Sequence, residues 1–249
     1  MALRFKKFGK IIKIFQSSGY VPYLWALIHG VVAGVEHTNV LWSLNCRTVI
    51  DVGANCGQFA LVSRKCFPQA RIVSFEPLAG PANRFRNLFQ RDPGVILHQA
   101  AIGPVTGEST IHVAAADDSS SLLPISTTQE RLFPGTSEIR TEIVRVGPLS
   151  TFVASEEIVS PAMLKLDVQG YELQALRGCE ELLERFGYVY AECSFMELYS
   201  GQALAHDIVH WLGERGWCLR GFYNTIYDCK GKGVQADFLF ENLCFARAV

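Results

Sequence analysis

The stretch VIDVGANCGQFA, Val49–Ala60, decides the fold. A short apolar run ends at Asp51, a glycine-rich turn follows, and an apolar pattern of helical period begins near Gly57. This order predicts a buried strand, a tight turn and a helix. In an open α/β sheet such junctions lie at the carboxyl ends of the strands, where ligands gather.

The alternation of strands and helices continues outward from this junction. Short apolar strands alternate with amphipathic helices from Arg47 onward, which is typical of βαβ units in a parallel sheet. The polar stretch Asp117–Arg140 has no sustained period and is predicted to be a long loop over the site. No linker divides the chain, so we predict an N-terminal helical extension over residues 1–45 and one domain over residues 46–249.

Composition narrows the class of protein. The 249 residues carry a formal net charge of −1, which disfavours a nucleic-acid partner because such binding needs clustered cations. The eight cysteines form no CxxC pair and no zinc-type spacing, so they predict reduced thiols in a cytoplasmic protein. No apolar run approaches the roughly 18 residues that a membrane span requires.

The first sixteen residues, MALRFKKFGKIIKIFQ, form a separate pattern. Phe5, Phe8, Ile12 and Phe15 share one helical stripe, and four lysines lie on the other side. One interpretation is a helix packed on the domain with its lysines in water. The other is peripheral contact of residues 1–16 with the anionic inner membrane surface or with a glycolipid.

The glycine-rich turn and the next strand indicate the ligand. Gly53 and Gly57 lack Cβ atoms where the backbone turns, and the helix start offers N–H groups to a carboxylate. Asp51 can accept from a cationic amino group or order the turn. Glu76, at the end of RIVSFE, suits two adjacent ribose hydroxyls. An amino acid joined to a ribose is the chemistry of S-adenosylmethionine (SAM).

A second group of acids lies further along the chain. In MLKLDVQGYELQAL, Asp167 ends a buried strand, and Glu172 begins the next helix as either a base or a helix cap. Glu192 ends the following strand in YAECS. Lys165 lies on the same strand face as Asp167 and could pair with a carboxylate.

Together these segments resemble the FkbM-type family of SAM-dependent methyltransferases over about residues 47–245. The resemblance rests on VIDVGANCGQFA, SFEP, QAAIG with a later SSL step, and LKLDVQGYELQAL. It implies the class I, Rossmann-like fold, a doubly wound α/β sheet of seven mostly parallel strands, with SAM as methyl donor. The SAM-binding residues it implies are Asp51, Gly53, Ala54, Asn55, Gly57, Glu76, Pro77, Ala101 and Ser120. Two departures are Gln169, where relatives often have Glu, and the segment PLSTF in place of a common T-L-D.

The same resemblance implies methylation of a hydroxyl on a sugar, a glycolipid or another small natural product. The acceptor must then lose a proton, and Asp167, which would face donor and acceptor, is the first candidate base, followed by Glu172 and Glu192. His98 and His112 are less suitable, since isolated histidines in strands are more often structural. No metal is expected, because a polar loop explains the pair at Asp117 and Asp118.

Two alternatives remain open at this point. The first is a SAM- or nucleotide-binding module without catalysis, which would explain why the departures at Gln169 and PLSTF each remove an acid near the site. An NAD-dependent oxidoreductase would use a G-x-G-x-x-G turn, whereas this turn reads G-A-N-C-G, which disfavours that class.

Overall fold

Two β-sheets form the framework of the protein. The computed structural model describes residues 21–243. The large sheet contains β1 (Thr48–Val52), β2 (Arg71–Phe75), β3 (Val95–His98), β7 (Ala162–Leu166), β8 (Tyr188–Ser194), β9 (Trp217–Tyr227) and β10 (Gly233–Asn242). The small sheet contains β4 (Ala101–Ile102), β5 (Gly107–Ala114) and β6 (Glu138–Gly147).

The large sheet has the strand order β3-β2-β1-β7-β8-β10-β9. The first five strands of this order are parallel, and β10 runs antiparallel to both β8 and β9. The predicted doubly wound sheet of seven mostly parallel strands is therefore confirmed. The small sheet has the strand order β4-β6-β5 and is formed by the part of the chain between β3 and β7.

Helices lie on both faces of the large sheet, whose central strands β1 and β7 are buried throughout. The α-helices of residues 21–243 are α1 (Val21–Ile28), α2 (Thr38–Trp42), α3 (Gln58–Cys66), α4 (Ala79–Phe89), α5 (Thr127–Leu132), α6 (Glu172–Cys179) and α7 (Ala205–Gly213). On one face α6 and α7 pack on alternate strand residues such as Ile50 and Leu164. On the other face α1, α2, α3 and α4 pack on residues such as Val49 and Met163.

The predicted long loop over residues 117–140 is wrong in part. Helix α5 forms inside it, because the Ser126 side chain caps the helix at the Gln129 amide and Gln129 is buried. Strand β6 begins at Glu138, inside the predicted loop, and pairs antiparallel with β5. The helix after Asp167 ends at Cys179 and continues as a 3₁₀ helix from Glu180.

The N-terminal extension is described from residue 21, so the amphipathic stripe of residues 1–16 lies outside the described part. Tyr23 and Ala26 of α1 and Leu41 of α2 share one apolar core with β1 and α3. Within residues 21–243 no helix is long and apolar enough to cross a membrane. The seven cysteines of this part are free thiols, as predicted.

Candidate active site

A cavity of about 940 Å³ opens at the edge of the large sheet where β1, β2, β7 and β8 end. This volume falls in the range of small-molecule sites. Nine of the predicted site residues line it, namely Gly53, Ala54, Asn55, Glu76, Pro77, Ala101, Ser120, Asp167 and Glu192. The cavity lining does not include Asp51, Gly57 and Glu172.

The two turn glycines are required by the protein's own packing. Both have positive φ angles, +81° at Gly53 and +94° at Gly57. A Cβ at Gly53 would lie 1.8 Å from the carbonyl oxygen of Asp167, and one at Gly57 would lie 2.7 Å from the ring of Phe89. The glycines therefore permit the close approach of β7 and of α4 to the turn.

The turn is held by hydrogen bonds within the protein. The amides of Gly53 and Ala54 donate to the carbonyl of Phe75 at 3.0 and 2.9 Å. The side-chain oxygen of Asn55, whose φ is +45°, accepts from the Cys56 amide at 2.6 Å. These contacts keep the turn in shape before any ligand binds.

Glu76 joins this turn to the end of β2. Its two carboxylate oxygens accept from the backbone amides of Asn55, at 2.9 Å, and Leu78, at 2.8 Å. Burial raises the pKa of Glu76 to about 7, although these two hydrogen bonds oppose the shift. Each carboxylate oxygen has a second lone pair, so Glu76 can still accept from a ligand in the cavity.

Asp51 is completely buried and paired with Lys165, for which the sequence predicted a carboxylate partner without indicating which one. The Lys165 ammonium lies 3.0 Å from the Asp51 carboxylate, 3.0 Å from the Gly53 carbonyl and 3.7 Å from the Asp167 carboxylate. Burial alone would lower the pKa of Lys165, but Asp51 and Asp167 outweigh it and raise that pKa. Asp51 thus orders the turn through Lys165 instead of facing the cavity.

Asp167 and Glu192 lie side by side on neighbouring parallel strands, bridged by the amide of Gln169. The Gln169 Nε2 donates to Asp167 at 2.7 Å and to Glu192 at 3.1 Å. Its Oε1 accepts from the Tyr199 hydroxyl at 2.8 Å. A glutamate at this position would supply no N–H and would add a third acid, so the departure from the family pattern suits this pair of carboxyls.

Glu192 lines the cavity, whereas Glu172 does not. Burial, with the nearby Asp167 and Asp237, raises the pKa of Glu192 well above its usual range, and Gln235 also donates to its carboxyl. Glu172 is buried outside the cavity lining, and its Oε1 accepts from the amides of Val168 and Gly170, both at 3.1 Å. Both amides precede α6, so these contacts hold the turn between β7 and that helix.

The sequence analysis missed a further set of polar residues in the cavity lining. These are Glu36, His37, Asn224, Gln235 and Asp237. Asp237 pairs across β10 and β8 with Glu192, which brings it into line with Asp167. An acid inside the apolar run ADFLF was a visible sign of a buried role, whereas nothing in the pattern around His37 distinguishes it.

The other residues considered for chemistry make structural contacts, although Asp117 also lines the cavity. His98 stacks on Phe75 with ring centroids 5.1 Å apart, and His112 pairs with Glu138 at 2.7 Å on the small sheet. Asp117 forms an ion pair with Arg84. Within residues 21–243 no group of three or more His, Cys, Asp or Glu side chains is arranged to hold a metal ion.

Two curated relatives have been named for the reactions they catalyse. The hexuronic acid methyltransferase AglP of Haloferax volcanii is 27% identical over 160 residues, which cover 63% of this chain and 56% of the relative. The 2-O-methyltransferase NoeI of Sinorhizobium fredii is 27% identical over 202 residues, which cover 78% of this chain and 79% of the relative. The chain spans 56% to 58% of the length of the first two curated relatives that it matches.

Among solved structures, an rRNA methylase from Streptococcus thermophilus aligns with a TM-score of 0.47 and 10% identity, covering 83% of this chain and 94% of that one. The profile of the methyltransferase FkbM domain matches residues 51–219, from the buried acid of the turn to the middle of β9. This match covers well over half of the chain and includes the turn, Glu76 and the acids of β7 and β8. The chain therefore belongs to the FkbM methyltransferase family.

Proposed function

We propose that the protein is a SAM-dependent O-methyltransferase whose acceptor is a hydroxyl of a sugar, a glycolipid or another small hydroxylated metabolite. The observation that carries the proposal is that a single cavity is lined by Glu76, a carboxyl suited to binding ribose hydroxyls, and by the acids Asp167 and Glu192. Two relatives whose names specify a hexuronic acid and a 2-O position support an oxygen acceptor on a sugar.

The described residues fit the donor. Glu76 can accept hydrogen bonds from the ribose hydroxyls. The small or apolar residues Pro77, Ala101 and Leu122 line the adjoining wall, where the adenine ring of SAM would lie. The five amides from Gly53 to Gly57 all donate within the protein, so the first turn of α3 is the place for the amino-acid carboxylate. Bound there, SAM supplies an electrophilic methyl group.

Asp167 follows β7 and lines the cavity beside the turn, opposite the ribose-binding Glu76 of this proposal. Its side chain is 40% exposed, so it can accept from a ligand, but Gln169 and Lys165 already hold its two oxygens in place. In this proposal Asp167 orients the acceptor hydroxyl toward the methyl group, since alignment is itself a large part of the catalytic effect. Glu192, whose raised pKa favours the protonated form, donates or accepts beside it.

Donor binding is tested by calorimetry with S-adenosylhomocysteine. We expect wild type to bind, Glu76→Gln to bind at least about tenfold more weakly through loss of a charged hydrogen bond, and the exposed Glu156→Ala to bind like wild type. Binding of NAD but not S-adenosylhomocysteine would favour the oxidoreductase alternative and overturn the proposal.

Catalysis is tested with labelled SAM and a panel of methyl glycosides containing neutral sugars, deoxysugars and uronic acids, together with glycolipids. Transfer of label to a glycoside oxygen, located by mass spectrometry, is the expected result. Tight S-adenosylhomocysteine binding without transfer to any member of the panel would favour the non-catalytic binding module.

A further inference from the structure

A buried polar cluster adjoins the cavity opposite the glycine-rich turn. The Asp237 Oδ2 accepts from the Tyr190 hydroxyl at 3.0 Å and from the Asn224 amide at 2.7 Å, and it lies 3.4 Å from His37 Nδ1. Burial opposes the charge of Asp237, but the hydrogen bonds from His37, Asn224 and Tyr190 hold its pKa below the usual range. Asp237 is therefore a carboxylate that can only accept.

The cluster fixes which nitrogen of His37 carries the proton. The Tyr190 hydroxyl lies 3.0 Å from His37 Nδ1 and gives its one proton to Asp237, so toward the histidine it can only accept. Burial and Asp237 raise the pKa of Tyr190, which keeps that proton in place. These two oxygens favour a proton on Nδ1 over the longer contact of the Asn224 side-chain amide, whose nitrogen lies 3.4 Å from Nδ1. In the neutral form of the ring, Nε2 then carries no proton.

His37 is held rigidly at the cavity. It ends the 3₁₀ helix Val35–His37, and the edge of its ring meets the ring of Phe59 with centroids 5.3 Å apart. Both side chains line the cavity together with Gly53. The Nε2 atom faces away from the buried cluster and lies 3.7 Å from the Glu36 carboxylate.

We propose that His37 is the catalytic residue that takes the proton of the acceptor hydroxyl, and that Asp237 is the positioning residue that sets its tautomer. This inference rests on the proposed O-methyltransferase function. The acceptor oxygen bonds the methyl carbon, the methyl–sulfur electron pair stays on sulfur, and the hydroxyl proton passes to Nε2. The imidazolium formed lies between Asp237 and Glu36 and later releases its proton to water.

The carboxyls of the cavity are less suited to this step. Asp167 and Glu192 both accept from Gln169, and burial raises the pKa of Glu192 well above its usual range, which favours its protonated form. Asp51 interacts electrostatically with His37 and is itself paired with Lys165. In the neutral form of the His37 ring, Nε2 is therefore the base on this side of the cavity.

The first test compares methyl transfer to the best glycoside of the panel by wild type, His37→Gln and Asp237→Asn. We expect His37→Gln to lose at least about 100-fold in kcat, with S-adenosylhomocysteine affinity within twofold of wild type. With SAM kept saturating at every pH, so that protonation of Glu76 does not limit the rate, the wild-type kcat should fall at acid pH as one group takes up a proton, and that fall should be absent in His37→Gln. The exposed His206→Gln serves as the matched control and should behave as wild type.

Tyr190→Phe separates catalysis from packing. It removes a hydroxyl from the same buried cluster but leaves the His37–Asp237 contact, so it should lose less than about tenfold in kcat. A loss equal to that of His37→Gln would assign the cluster a structural role and overturn the proposal. A His37→Gln variant that keeps both the wild-type rate and its fall at acid pH would also overturn the proposal.

The second test needs no acceptor. Long-range ¹H–¹⁵N spectra of the six histidines, with His37 assigned from His37→Gln, report which ring nitrogen carries the proton. We expect Nδ1–H for His37 in wild type and a mixture of tautomers in Asp237→Asn. A wild-type Nε2–H tautomer would overturn the inference whatever the transfer assay shows, whereas S-adenosylhomocysteine binding without transfer would count against the proposed function alone.

Discussion

At the scale of single residues, the carboxyl of Glu76 makes donor binding depend on pH. Its pKa of about 7 means that the carboxylate fraction rises through neutrality, and a carboxylate accepts ribose hydrogen bonds more strongly than the acid does. We expect S-adenosylhomocysteine to bind more tightly at about pH 8 than at about pH 6. Calorimetry at both values checks this, and Glu76→Gln should remove most of the difference.

The raised pKa of Glu76 makes the free energy of unfolding fall with rising pH, whereas donor binding becomes tighter. A carboxyl whose pKa rises on folding favours the folded state while it is protonated. Its contribution is complete below pH 4.5 and is lost as the pH rises through about 7. Wild type should therefore lose more free energy of unfolding than Glu76→Gln across that range, as urea titrations can measure.

The buried pair of Lys165 and Asp51 should respond unequally to the loss of either partner. Lys165→Met leaves a fully buried carboxylate without a cation, which typically costs about 3–5 kcal/mol of unfolding free energy. Asp51→Asn should cost less, because Lys165 keeps the Gly53 carbonyl at 3.0 Å and Asp167 at 3.7 Å. Urea denaturation of both variants tests this, with the exposed Arg140→Ala expected to cost less than about 1 kcal/mol. Equal losses would contradict the assigned contacts.

Individual site residues could be predicted from the sequence where the residue type and its neighbours along the chain determine its position in the fold. The positions of Gly53, Glu76 and Asp167 at the strand ends followed from the pattern, and all three line the cavity. The role of Asp51 was left open between a ligand and the turn, because its partner Lys165 lies on another strand. His37 could not be found, since its function depends on Asp237, near the other end of the chain.

At the scale of elements, the approach of β1 and β7 depends on the missing side chain of Gly53. In Gly53→Ala the new Cβ would overlap the Asp167 carbonyl oxygen, and the φ of +81° is unfavourable for alanine. We expect a loss of about 3 kcal/mol or more, or failure to fold, measured by urea denaturation. Gly107→Ala is the matched control, since a Cβ there meets nothing within 4 Å. Equal stability of the two variants would contradict the strand packing described.

Strand and helix order was predictable, and the pairing of strands was predictable in part. The apolar runs of β9 and β10 are typical of strands, and the two strands pair antiparallel. That β10 inserts between β8 and β9, and so places Asp237 beside Glu192, depends on three-dimensional packing that periodicity does not encode. The start of β6 was mistaken for loop because its first residues are exposed and mostly polar.

At the scale of the whole molecule, contact with a membrane stays a prediction. Helix α1 exposes Val21, Trp25 and Ile28, with 72%, 46% and 78% of their surface accessible, directly after the basic stripe of residues 1–16. Lysines and interfacial apolar residues together favour an anionic lipid surface. We expect the full chain to float with phosphatidylglycerol vesicles and not with phosphatidylcholine vesicles.

Two variants test this expectation. Deletion of residues 1–16 should abolish flotation, and Ile28→Ser should weaken it, while S-adenosylhomocysteine affinity stays unchanged in both. Equal partitioning of the full and shortened chains would remove the membrane contact.

The antiparallel insertion of β10 has a consequence for the time at which the site comes into being. A nascent chain that has emerged through β8 can already form five parallel strands, the glycine-rich turn and Glu76. Asp237 is synthesised later, on the strand that completes the cavity wall next to Glu192. A nascent chain can thus contain every residue of the donor side before β10 exists, whereas the acceptor side has to wait for β10.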